Sequence, residues 1–429
     1  MQRSMFVFCA ALIWVQGSLF ADETALGEPC VGRFTIIHSV GVFDGSAVIP
    51  EATVILQCSL IHRVIEGGEP ADIPPGSRLI DGNGKFLLPG LIDSHTHTFG
   101  REMLERSLDF GVTTVFDMGS LASGFKQTID AEDALGQVTD RADMIGASLW
   151  VTAPGSHGTQ FGDAPTLDNP GDAEVFVTDR IAEGADFIKV IYDNFKMIDR
   201  PVPTLSHSTM QAVIDAAHAN GLMAVFHSRD VEAYAKAAEA GADGFVHLPV
   251  DQVPDDQLLS LLKAKEIFVM PNLALSRPDG VRLIDHPVIG PMLTDSEIKG
   301  LKNFRGMHRD GGDRVAYEAV AAFHKNGITI LSGTDTPNGG TTVGASMHME
   351  LELLVNAGLT PVEAMAAATS TPAEVFGLDD RGRIAEGLLA DLLLVEGSPD
   401  QVISDTRNIV AVWKAGEIHP RVRSTVRQD

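Results

Sequence analysis

Basic residues are scarce in this sequence. Lys and Arg number 32 against 58 Asp and Glu, for a formal net charge of −26 at pH 7. Such a surface repels polyanions, so nucleic acid and anionic membranes are excluded as partners. Long apolar runs are also lacking. Beyond the first 21 residues no segment approaches the ~20 apolar residues that a membrane-spanning helix needs. Cysteine is rarer still, with three in 429 residues. One is Cys9, near the start; Cys30 and Cys58 are either joined in a disulfide or two free buried thiols, and the sequence leaves both open. Glycine and proline, at 42 and 22, are close to average, which excludes fibrous and disordered classes. What remains is a soluble globular chain, long enough for an α/β barrel with an appendage.

The first 21 residues, "MQRSMFVFCAALIWVQGSLFA", do not fit that globular body. A single Arg3, an apolar stretch from Met5 to Val15 and a cleavage point after Ala21 predict a secretory signal peptide over residues 1–21. The expectation is a secreted or periplasmic protein with no membrane attachment once the signal is removed. Cys9 lacks the small-residue approach of a lipidated cysteine.

Residues 31–90 read as short strands broken by turns, in "RFTIIHSVGVFDG", "ATVILQCSLIHRVIEGG" and "SRLIDGNGKFLLPG". A similar pattern returns in "GRIAEGLLADLLLVEGSP" and "NIVAVWKAGEI". We therefore expect a small β-sandwich built from both ends of the chain, residues 31–88 and 383–420. Between them, strand-like runs alternate with helix-period stretches: "LIDSHTH", "VTTVFD", "ADMIGASLWV", "DFIKVIYD", "LMAVFHS", "GFVHLP", "IFVMPNL" and "ITILSGTD". Eight such units predict an α/β fold of the (β/α)8 TIM-barrel type over residues 89–382. The longest irregular stretch, about residues 273–312, reads as a lid over the active face.

Polar residues fall at the ends of these strands. His95 and His97 in "LIDSHTHTFG" are two residues apart and so share one side of a strand. Lys189, His227, His247 and Asp335 end the fourth, fifth, sixth and eighth strands. In a parallel barrel all these ends lie on one face. A lone histidine at a strand end is ordinarily structural. Lys189, within the apolar "DFIKVIYD", is harder to explain that way, because burying an unpaired ammonium is costly and lowers its pKa. A neutral lysine amine can react with carbon dioxide to form an anionic carbamate that bridges two metal ions.

Taken together, "LLPGLIDSHTH", "IKV", the histidines of strands five and six, "SGTDTP" and the closing "GRIAEGLLADLLLVEGSP" resemble the amidohydrolase superfamily, in its imidazolonepropionase-like and prolidase-like branch, over residues 33–419. The resemblance implies that His95, His97 and Asp335 hold one metal ion and His227 and His247 a second, with carboxylated Lys189 bridging them. Such nitrogen and oxygen ligands suit zinc best, with manganese, cobalt and iron as alternatives. It further implies that Asp335 is the catalytic base, taking a proton from a metal-activated water and passing it to the leaving nitrogen. His157, in "APGSHGTQFG", and Tyr192, just past Lys189, are the expected substrate-binding residues, with Asp193 beside them. The "IYDN" sequence departs from the glycine-rich continuation of the branch's dipeptidases. His348, His218 and His324 sit in helix-period runs and are expected to be structural.

The function expected is an exported hydrolase of a C–N amide bond, in a dipeptide, an N-acyl amino acid or a cyclic amide. The alternatives are a lactonase or esterase using the same site, and a non-catalytic binding protein. Retention of all six polar positions argues against the latter. The partner expected is a small-molecule substrate; homo-oligomers are common in the family, and nothing in the sequence fixes a state.

Overall fold

A computed structural model describes residues 33–67, 73–120, 124–196, 200–276, 281–304 and 312–421. They belong to one compact unit, Gly32–Asp429. The expected signal peptide and Cys30 lie outside the described residues; Cys58 is disulfide-bonded.

Five strands open the described chain: β1 (Phe34–Phe43), β2 (Val48–Gln57), β3 (Leu60–Glu66), β4 (Arg78–Asp81) and β5 (Lys85–Pro89). Three close it: β13 (Leu392–Glu396), β14 (Ile409–Lys414) and β15 (Glu417–Ile418). The two ends do come together, but not as the two stacked sheets of a sandwich. They form one eight-stranded mixed sheet, in the order β15-β14-β13-β5-β1-β2-β3 with β4 beside β1. The reason lies in β1, whose pairing with β2 shifts register between Ile37 and Val40 and again between Val40 and Val42. Such irregularities bend a strand. Its first half therefore pairs with β4 and its second half with β5, which in turn pairs antiparallel with β13. The inner face buries Ile37, Val42, Val54, Leu87, Leu392 and Trp413 in a core of its own.

Seven strands follow β5 in the middle of the chain. β6 (Leu91–Thr96), β7 (Val112–Asp117) and β8 (Asp143–Gly146) form a parallel three-stranded sheet. β9 (Ile188–Ile191), β10 (Ala224–His227), β11 (Gly244–Val246) and β12 (Phe268–Met270) form a parallel four-stranded one. Helices separate the strands, and their starts are readable in the sequence. Ser206, Asp230 and Asp255 each accept a hydrogen bond from the backbone N–H three residues on, capping the helices His207–Ala219, Val231–Ala240 and Asp256–Ala264.

The expected eighth strand, "ITILSGTD", is not a strand. Among the described residues, isolated bridges at Val269↔Ile330 and Thr96↔Thr336 attach this segment to β12 and β6, and Val151↔Val190 links the chain after β8 to β9. Its backbone donors are divided among several partners: Leu331 N–H bonds to the Val269 carbonyl, Ser332 N–H to that of Ala367 and Asp335 N–H to that of His95, while the Thr334 N–H and hydroxyl bond to the two oxygens of Asp93, at 3.0 and 2.6 Å. Gly333 is required there, because a Cβ would lie 2.9 Å from both the His95 Cβ and its backbone N. The expected lid is also more regular than its sequence suggests, since it contains the helices Leu273–Ser276, Val281–Ile284 and Asp295–Asn303.

One buried ion cluster pins the mixed sheet to the three-stranded one. Lys414 of β14, 2% exposed, donates to Asp391 and Asp143 at 2.7 Å each, and Arg381 also bonds to Asp143. Burial raises the Asp143 carboxyl, but Lys414 and Arg381 more than reverse this and hold it below its ordinary value. Its contribution to stability is therefore present above the usual carboxylate pKa and lost as pH falls through the lower folded value. Removing one partner of a buried pair strands the other. Lys414→Met is expected to lower the unfolding free energy in urea titrations by about 3–5 kcal/mol; a change within about 0.5 kcal/mol, the range of ordinary surface substitutions, would show that the cluster contributes nothing net.

Candidate metal centre

The ends of β6, β9, β10 and β11 and the segment after Ile330 converge on a cavity of about 510 Å³. Alternation along β6 puts His95 and His97 on the same side. Their Nε2 atoms lie 3.3 and 3.0 Å from one oxygen of Asp335, and His247 Nε2 lies 3.7 Å from the other.

Hydrogen bonds settle the tautomers of the first two rings. His95 Nδ1 meets the Asn272 side-chain oxygen at 3.0 Å and His97 Nδ1 meets the Gly119 carbonyl at 2.6 Å. Both partners are acceptors, so both Nδ1 atoms carry a proton and, in the neutral rings, both Nε2 atoms present a lone pair; against the lowering effect of burial, Asp335 at the same time raises the His97 pKa. Two lone pairs and a carboxylate oxygen thus face one another in a buried site. That arrangement is repulsive unless a metal ion sits among them or His97 takes up a proton, and among the described residues His95 Nε2 and Asp335 Oδ1 have no hydrogen-bond partner. His95, His97 and Asp335 fit a metal ion, all their ligand atoms lying within 4.8 Å of one another.

The second group of expected ligands adjoins the first. His247 packs its ring 5.2 Å from that of His95 and 4.4 Å from that of His227. His227 Nε2 lies 3.3 Å from Asp193 Oδ2, which leaves Nδ1 free to ligate. Lys189, 2% exposed, has no hydrogen-bond partner for its Nζ among the described residues. Burial lowers its pKa to about 7, although Asp335 and Asp117 pull it the other way. Asp335 shows the reverse balance: burial raises it, but His95, His97 and Lys189 hold it below the ordinary carboxylate range.

The site is held under backbone strain. His247, Asn272 and Asp335 have φ of 67°, 53° and 55°, a region in which each non-glycine residue costs of order 1–3 kcal/mol. Asn272 offsets its own cost by serving twice, its oxygen accepting from His95 Nδ1 and from the His247 backbone N–H at 3.1 Å. The Tyr234 hydroxyl fixes the other side of His247 by donating to its carbonyl.

The structure therefore brings together all six expected ligands. His157 also reaches the cavity, 9% exposed, with its ring 4.3 Å from Phe195 and 4.8 Å from His227. Burial lowers its pKa to about 3. Tyr192 does not reach the cavity. It lines a separate small pocket with Asp230 and Lys236, because Lys189, Ile191 and Asp193 have the inward parity of β9 and Tyr192 the outward one. His348, His218 and His324 bond to the Phe110 carbonyl, Asp243 and Glu363, respectively, as structural residues do. Three residues of the site were not foreseen: Asn272, Arg229 and Gly119. Their types and positions in "MPNL", "HSRD" and "DMGS" carry no periodic signal; Arg229 two residues after His227 is the one that spacing could have flagged.

Comparison with known proteins gives the family. The sequence profile of the amidohydrolase family matches residues 86–420. Imidazolonepropionase of Rubrobacter xylanophilus is 24% identical over 392 residues, spanning 83% of this chain and 89% of that one. Ochratoxinase of Aspergillus niger is 25% identical over an alignment of 448 positions, spanning 90% of this chain and 86% of the relative. Among solved structures, a Xaa-Pro dipeptidase with methionine in its active site superposes with a TM-score of 0.71 at 20% identity, over 90% of this chain and 99% of that one.

Because Asn272 orients one proposed ligand and tethers the backbone of another, Asn272→Ala is expected to weaken zinc affinity by about 10–100-fold. Competition against a chromophoric chelator measures this. Wild-type affinity in a folded variant would mean that Asn272 does not position the site.

Proposed function

The chain belongs to the amidohydrolase family, and from that premise we propose that it is an exported, binuclear metal-dependent hydrolase that cleaves the amide bond of a dipeptide, an N-acyl amino acid or a cyclic amide. It is a hydrolase of C–N bonds, as its family membership and its relatives indicate. The finer reading is carried by one observation: a buried lysine, without a hydrogen-bond partner among the described residues, lies among four histidines and an aspartate. An unpaired ammonium there would be costly, whereas an anionic carbamate would meet two cations.

In this reading, two arcs of parallel strands joined by isolated bridges belong to one (β/α)8 barrel over residues 89–382, with residues 31–88 and 383–420 as the small β domain. His95, His97 and Asp335 would hold one divalent ion, His227 and His247 the other, and carboxylated Lys189 both. Zinc fits the donor set best. When bound, the ions supply Lewis acidity that polarises the scissile carbonyl and acidifies the attacking water. Asp335 then holds the proton released by that water on a carboxylate oxygen and delivers it to the leaving nitrogen. Asp193 keeps His227 in the tautomer that presents Nδ1. The apolar walls formed by Met118, Ile191 and Trp150 keep bulk water from the reacting bond. Export rests on the leader sequence of residues 1–21.

The test is hydrolysis of a library of dipeptides, N-acyl amino acids and cyclic amides by the protein loaded with zinc and bicarbonate. Asp335→Asn is expected to lower turnover by at least about 10²–10⁴-fold while most of the metal is kept. Unchanged turnover would remove Asp335 from this role. Cleavage of esters or lactones but of no amide by the metal-loaded protein would replace the amidohydrolase assignment. Lys189→Met is expected to lose bound metal, and isotopically labelled bicarbonate is expected to give a carbamate resonance in the wild-type protein alone.

A further inference from the structure

Arg229 follows His227 by two residues, at the exit of β10. It is 8% exposed and lines the cavity. Two contacts fix its guanidinium plane. Nε donates to Asp193 Oδ2 at 2.8 Å, and the guanidinium carbon lies 5.4 Å from the centre of the Phe195 ring. Among the described residues no hydrogen bond engages its two Nη groups. A guanidinium held at one edge and one face, with the other edge at a cavity, is a preorganised fork for a carboxylate.

The position of the fork relative to the reacting centre is set by Asp193, whose Oδ2 also lies 3.3 Å from His227 Nε2. The anion it would bind therefore sits beside the scissile bond rather than at a remote end of the substrate. In an N-acyl amino acid the α-carboxylate occupies that place, since its carbon is attached to the α-carbon that bears the scissile nitrogen. No other group of the wall is as well suited. His157 meets the Gln160 side-chain nitrogen through Nδ1 at 2.7 Å and packs its ring at a tilt against those of Phe195 and His227. Lys189 lies deep among the expected ligands. The outer wall is aromatic, with Trp150, Phe99 and Phe161, the latter two 55% and 58% exposed. Exposed aromatic faces at a cavity mouth suit an apolar side chain.

We propose that Arg229 selects the substrate by binding a carboxylate adjacent to the scissile amide, so that the site takes N-acyl amino acids bearing a free α-carboxylate and an apolar side chain in preference to neutral amides. This rests on the hydrolase reading above. Asp193 is a positioning residue for it, acting through Arg229 and His227.

The test compares acetate release from N-acetyl-L-phenylalanine and from N-acetyl-L-phenylalaninamide by the full chain loaded with zinc and bicarbonate. The wild-type protein is expected to favour the carboxylate by about 10–150-fold in kcat/KM, the worth of a hydrogen-bonded charge. Arg229→Gln, compared at matched zinc occupancy, is expected to lose most of that preference, and Arg229→Lys to regain part of it. Equal activity of the wild-type protein on both compounds, or equal losses on both in Arg229→Gln, would overturn the proposal. A second readout does not need turnover: calorimetric binding of L-phenylalanine against L-phenylalaninamide. The wild-type protein is expected to bind the carboxylate more tightly and Arg229→Gln to bind both alike. If neither acetylated compound is hydrolysed, amide cleavage of this class fails, and the calorimetric difference alone still upholds or overturns the role of Arg229.

Discussion

The candidate site depends on a crowding of acceptors that a cation relieves. Asp335 directs a carboxylate oxygen toward Nε2 of both His95 and His97, with Asp335 and His95 buried and His97 partly open to the cavity. Neither ring can turn away, because Asn272 and the Gly119 carbonyl hold the opposite nitrogens. Acceptors that face one another in low dielectric are destabilising by themselves. The surrounding fold keeps them there. Asp93 accepts from the backbone of His95 and Thr334, locking the two segments that carry the triad, and Gly333 permits them to touch. Burial raises the Asp93 carboxyl to about 7, so even this brace sits where a carboxylate is only just charged at neutral pH. Positive φ at His247, Asn272 and Asp335 adds strain of the kind that persists where binding, rather than folding, has been favoured.

What the sequence revealed follows from periods. Two-residue spacing put His95 and His97 side by side, and strand ends located Lys189, His227, His247 and Asp335 before any coordinates did. The same parity argument, applied one step further, would have rejected Tyr192 and kept Asp193, since only odd-numbered residues of 189–193 face inward. What was not legible are relations between segments. Alternating residues mark β1 and β5 as strands but do not name their partners, so one bent mixed sheet was read as a sandwich. The β-branched "ITIL" run looks like a strand. Its donors instead go to several partners in turn, among them the carbonyls of Val269, Ala367 and His95 and, from Thr334, the Asp93 side chain more than two hundred residues earlier. Arg229 and Asn272 lay in short segments without period, and only their three-dimensional neighbours reveal their use.

The charge of the whole chain is a poor guide to its site. Net charge of −26 would repel an anionic substrate at long range, yet the cavity wall carries Arg229 and Lys189 and a set of ligands suited to divalent cations. Screening shortens the reach of the surface field to roughly 8–10 Å in physiological salt, whereas charges within a low-dielectric cavity are screened much less. Local sign therefore decides what binds, and global sign decides what is kept away, polyanions above all.

Asp193 joins two functions in one carboxylate. Burial raises it, but His227 and Arg229 hold it well below the ordinary carboxylate range, so it stays charged. Its Oδ2 is shared between His227 Nε2 at 3.3 Å and Arg229 Nε at 2.8 Å. Any rotation of that side chain would alter the tautomer and aim of an expected metal ligand together with the aim of the guanidinium. Metal geometry and anion recognition are thus not independent features placed near each other. They are set by the same buried oxygen, and the inward parity of β9 that turns Lys189 to the cavity, continued past the strand, also delivers Asp193 to that position.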